Sequence, residues 1–125
     1  MLKTQLLQKS WGSVYHAFDN QKCAVSVLYT NTGAYCSRHI HTERVNRFMV
    51  VSGCIDVVRY TPDGENEMGR VRLRAGDIED VEALVVHSFE VVEGGIVTEV
   101  YYPAYEGAKV RLDDIKRLRL GAAKC

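Results

Sequence analysis

The sequence carries no excess of charge, with 16 Lys and Arg against 16 Asp and Glu in 125 residues. Nucleic-acid binding needs a basic face, and the only cluster of positive side chains is in the tail at 116–119, so that function class is set aside. Long apolar runs are missing as well. Nothing approaches the roughly 20 residues of a membrane span, and the short apolar run in 1–8 is too brief for a signal peptide, so a soluble, cytoplasmic chain with no membrane partner is expected. Cysteine is scarce. Cys23, Cys36, Cys54 and Cys125 contain no CxxC pair, which argues against a disulfide framework or a thiolate zinc site and predicts reduced thiols. Helical periodicity is almost absent too, confined to a weak pattern at 112–118, and no internal repeat is visible.

What is present is a succession of short extended runs. Residues 11–18 and 24–29 are rich in aromatic and β-branched side chains and end in the turn-prone Asp19-Asn20 and Asn31-Thr32-Gly33. Residues 47–52 form an apolar run, and Gly53 ahead of 54–60 reads as a tight reversal into an antiparallel partner. Thr61-Pro62-Asp63-Gly64 is a turn with a mechanism, because proline fixes its own φ and glycine accepts a positive one. The alternation in 70–74 gives a strand with one wet face, broken at Gly76-Asp77. Three more runs follow at 78–81, 85–92 and 96–102, with Glu93-Gly94-Gly95 expected to turn between the last two, and Pro103 closes the sheet region. Many short strands with turns between them predict an all-β sandwich or barrel, and closure is the simpler way to remove exposed edges. At this length, 1–125 makes a single domain with one site.

The candidate chemistry lies between Gly33 and Gly53. If the residues around His39 are extended, the two-residue period places His39 and His41 on one face, a spacing suited to two ligands of one metal. Gly33, five residues, His39, one residue, His41, four residues, Asn46, six residues and Gly53 resemble the first motif of the cupin superfamily, with Asn46 where a glutamate usually stands. Gly76, five residues, Glu82, one residue, Leu84, two residues and His87 resemble its second motif, with Glu82 and Leu84 in place of the usual proline and glycine. The resemblance covers about the middle half of the chain.

It implies a double-stranded β-helix, a cupin or jelly-roll barrel over about 11–103, followed by a short C-terminal helical tail in 104–125. It also implies a divalent metal held by His39, His41 and His87. Three neutral imidazoles with open positions suit Fe, Zn, Ni, Mn or Cu better than Mg or Ca. With Asn46 in the glutamate position the site becomes a three-histidine one. Its uncompensated charge favours a small anionic ligand, a carboxylate, enolate or phosphate.

Phe48 shares parity with Asn46 and Phe89 with His87, so all are expected to point inward, as core or as pocket lining. Glu99 and Tyr101 share a face of the last strand. If it is inward they form an acid–base pair beside the metal; if outward they solvate an edge. Cys36, of opposite parity to the histidines, is read as structural, Glu43 as a solvated loop residue, and His16 as a histidine without a role. Arg44 and Arg47 stand near the mouth, with Arg47 on the outer face. The leading expectation is a metal-dependent cupin enzyme whose isomerase, lyase or dioxygenase chemistry the sequence leaves open. The alternatives are a metal-free sugar-nucleotide isomerase or epimerase, and a non-enzymatic binder of a small ligand. An exposed apolar strand at 14–18 predicts a homodimer.

Overall fold

Alternating apolar and polar residues, punctuated by glycine and Asx turns, give seven strands within residues 5–103, the part of the chain described by the computed structural model. These are β1 (Leu7–Lys9), β2 (Gly12–Asp19), β3 (Ala24–Thr30), β4 (Val45–Tyr60), β5 (Glu67–Arg74), β6 (Ile78–Val81) and β7 (His87–Tyr102). All pairings are antiparallel, in the order β1-β2-β3-β7-β4-β5, with β6 added to β4. The described residues contain no helix, and none is therefore long and apolar enough to cross a membrane. The expected helical tail and Cys125 lie outside them.

Two expected turns are instead bulges in continuous strands. Gly53 does not reverse the chain: β4 runs through it for 16 residues, and β7 runs as far through 93–95. The register of the pair slips between Val50 and Ser52, again before Cys54, and once more before Ile55. The physical reason is close approach. Gly53 has φ +82°, and a Cβ there would lie 2.6 Å from the Glu93 carbonyl oxygen, so the two chains bend together where neither has a side chain in the way.

The bulge also changes which residues face inward. On β4 the buried inner positions are Asn46, Phe48 and Val50 before Gly53, and Ile55 and Val57 after it. The main core cluster has Trp11, Val14, Leu28, Phe48, Phe89 and Val97 among its members, and a smaller one joins Val58, Tyr60 and Val86. The expected turn at 61–64 is present, with Gly64 at φ +77° and its N–H 2.7 Å from the Thr61 carbonyl.

Residues 34–44 are not the strand that the histidine spacing suggests. They form an irregular segment tied to β7 by single bridges, Tyr35 to Glu90 and His39 to His87. Val14, expected on an exposed strand, is buried in the core, whereas Phe18 on the same strand is exposed. None of Cys23, Cys36 and Cys54 is in a disulfide.

Candidate metal centre

Backbone pairing fixes the three histidines. His39 N–H donates to the His87 carbonyl at 3.0 Å and His87 N–H to the His39 carbonyl at 2.9 Å, so the loop and β7 hold the two residues side by side. His41 follows two residues later, and its carbonyl accepts the Leu84 N–H at 2.7 Å. Leu84 takes φ 69°, the left-handed conformation that glycine reaches without strain. The turn ahead of His87 thus keeps a glycine-like geometry with a leucine in it, so the third imidazole is still aimed at the other two.

The rings converge. Their centroids are 4.4 Å apart for His39 and His87, 4.8 Å for His39 and His41, and 5.5 Å for His41 and His87. One ring nitrogen from each lies within 4.8 Å of the others, and all three residues are buried. His39 Nδ1 is 2.7 Å from the Ser37 carbonyl and His87 Nδ1 is 2.9 Å from the Val85 carbonyl. A carbonyl only accepts, so both Nδ1 atoms carry the proton and both Nε2 atoms keep a lone pair. Anchoring the far nitrogen on a backbone carbonyl is how metal-binding histidines are held in one tautomer and orientation. The donor set therefore fits a first-row divalent cation.

Beside the rings is a cavity of about 220 Å³. His39, His41, Phe48, Phe89, Glu99 and Tyr101 are on its wall. Glu99 and Tyr101 thus point inward on β7. Phe48 and Phe89 pack edge to face at 5.9 Å and form the apolar side. Asn46 is behind the wall rather than on it. Its Nδ2 donates to Glu99 Oε2 at 3.2 Å and stands 3.5 Å from His87 Nε2, while its buried Oδ1 finds no hydrogen-bond donor among the described residues.

Glu99 is buried, and the loss of water pushes its carboxyl above the ordinary range. Hydrogen bonds from Tyr101 and Asn46, and the nearby His41 and Arg44, pull it back only in part.

Several residues given no role by sequence reasoning are also on the wall: Trp11, Cys36, His16 and Lys9. Cys36 is there because 34–44 is not extended, which voids the parity argument that made it purely structural. It also accepts the Phe89 N–H on its sulfur at 3.4 Å. Trp11 Nε1 is buried without an acceptor among the described residues. Only its aromatic, strand-opening position could have drawn notice to it. His16 is exposed at the rim and bonds Ser26 Oγ through Nδ1 at 2.8 Å. Arg44 lies with its guanidinium 4.7 Å above the Tyr101 ring, at the cavity edge. Arg47 faces outward and is held by Asp80 at 2.7 and 3.0 Å, and Glu43 is exposed.

No protein-family model and no curated protein sequence matches the chain. Solved structures do. An RmlC-like cupin from Shewanella frigidimarina is 25% identical over 83% of this chain and 87% of that one, with a TM-score of 0.69. KdgF from a Halomonas species is 18% identical over 84% and 89%, with a TM-score of 0.67. The oxalate decarboxylase of Lactobacillus farciminis is 18% identical over 82% of this chain at a TM-score of 0.68, but only 32% of its own length is covered. With two bent strands at its centre and His39, His41 and His87 gathered against one another, the chain has the cupin, double-stranded β-helix fold.

Proposed function

We propose that this protein is a metal-binding cupin that acts on a small anionic metabolite. The observation that carries the reading is the convergence of three buried imidazoles, two of them with Nδ1 fixed on backbone carbonyls so that Nε2 carries the lone pair. His39, His41 and His87 would hold the cation, which supplies a Lewis acid for a substrate oxygen and, for a redox metal, a site for dioxygen.

The residues of this chain supply the rest. Arg44 and Lys9 bring positive charge to the cavity edge, where an anionic group would enter. Trp11, Phe48 and Phe89 exclude water from one side. The Tyr101 hydroxyl, bonded to the Glu99 carboxylate, is placed to give up or take back a proton at a bound ligand. A small carboxylate matches both the cavity volume and the charge, and a similar fold in oxalate decarboxylase holds formate.

A second reading is a metal-free isomerase or epimerase, favoured by one feature: the His41 ring lies 5.4 Å from the Tyr101 ring, a base and an acid on one cavity wall. A binder without turnover is the third. We also infer a homodimer. Leu6, Leu7, Phe18 and Tyr29 are exposed on and beside β1, β2 and β3, and a second copy would cover them.

Elemental analysis of protein reconstituted with Fe, Zn, Ni, Mn or Cu tests the leading reading. About one equivalent is expected in the wild type and none in H39A or H87A. Wild-type protein that retains no metal would remove it, and activity that survives a chelator but not H41A would favour the metal-free enzyme.

A further inference from the structure

The buried carboxylate on the cavity wall shared with His39 and His41 is not on β4 but on the strand beside it. In the β4–β7 register Asn46 opposes Tyr101 and Phe48 opposes Glu99, so Glu99 is the diagonal neighbour of Asn46 on the same inward face. That distance is within reach of a glutamate side chain. The two are already joined, because Asn46 Nδ2 is 3.2 Å from Glu99 Oε2.

The same nitrogen stands 3.5 Å from His87 Nε2, the nitrogen that the Val85 carbonyl leaves with a lone pair. A single lone pair cannot accept an amide N–H and bind a cation at once. Cation binding at His87 therefore requires the Asn46 amide to move off. When it moves, Glu99 loses a donor and faces the incoming charge.

We propose that Glu99 is the carboxylate of this metal centre, and that Asn46 is a latch holding Glu99 and His87 together until a divalent transition metal displaces it. The inference rests on the metal reading above and deepens it. Three neutral imidazoles leave two positive charges uncompensated, and a buried carboxylate whose burial Arg44 and its hydrogen bonds offset only in part remains costly, so each lowers the other's penalty. Glu99 has two oxygens, enough for one to face the cation while the other keeps the Tyr101 hydroxyl. A strand-to-strand transfer of the acid thus compensates for the amide at position 46.

Chelator-competition titrations with Co(II) and Zn(II) on the wild type, E99Q and N46A test this, together with the visible spectrum of the Co(II) protein. Glutamine is nearly isosteric with glutamate, and circular dichroism of each variant checks the fold. E99Q is expected to bind roughly 10- to 100-fold more weakly and to change the Co(II) bands. N46A, freed of the latch, is expected to bind at least as tightly as the wild type. The double variant N46E/E99Q, which returns the acid to β4, is expected to recover most of the affinity. An E99Q protein that titrates like the wild type would overturn the proposal, as would a double variant no better than E99Q. Weakening of N46A to the level of E99Q would overturn it too, by making the amide oxygen the ligand. These outcomes leave the metal reading intact, whereas a wild type that takes up neither ion removes both.

Discussion

Asp56 illustrates how single side chains stabilise the outer wall without joining the site. Its carboxylate is almost wholly buried, with Arg72 at 2.8 and 3.0 Å and Arg70 at 3.1 Å. Arg72 first, then Arg70, hold its carboxyl below the usual carboxylate range despite the opposing effect of burial. A lowered value in the folded state means that the stabilisation is complete above the unfolded pKa of about 4 and is lost as pH falls through the folded one. D56N is expected to lose about 1–2 kcal/mol at neutral pH, a modest figure because both arginines remain partly hydrated. Urea denaturation at several pH values checks this, and the gap between variant and wild type should narrow only under acid. At the same scale Leu84 was legible as a departure from the motif, but its φ of 69° was not. Nothing in a leucine announces a left-handed backbone; the surrounding hydrogen bonds impose it.

Among the elements, β4 and β7 carry the site, and their shared bend is what the sequence concealed. Glycine pairs inside β-rich runs look like hairpin turns, and the same residues suit a bulge, where the requirement is close approach of two backbones. At Gly53 that requirement is strict, since its φ is +82° and a Cβ would meet the Glu93 and Gly94 carbonyl oxygens at 2.6 and 2.8 Å. G53A is expected to destabilise the fold by about 1–3 kcal/mol, lowering Tm by roughly 4–12 °C in a thermal melt. Straightening β4 there would also flip the parity of Ile55 and Val57 relative to Phe48. The histidine loop gives the converse case. Its two imidazoles do come together, yet not through strand geometry, because the loop's sheet-like pairing among the described residues is limited to the isolated bridges Tyr35 to Glu90 and His39 to His87.

For the molecule as a whole, exposed apolar residues are spread over the sheet, and Leu6, Leu7, Phe18 and Tyr29 are those on and beside β1, β2 and β3. Phe18 and Leu6 are 53% and 52% exposed near β1 and β2, and the proposed dimer would cover them with a second copy. Light scattering is expected to give twice the mass of the chain, and F18D to halve it. A monomeric wild type at working concentration would refute the dimer.

Residue spacing alone determined much of this protein. The all-β pattern, the turn at 61–64 and the grouping of His39, His41 and His87 follow from local periods and from the motif resemblance, which require no knowledge of the rest of the chain. Only tertiary structure decided the face of Glu99 and Tyr101, the entry of Trp11 and Cys36 into the cavity wall, and the Asn46 link between His87 and Glu99. Each depends on the register between β4 and β7, and that register is set by a bulge whose glycines read equally well as turns.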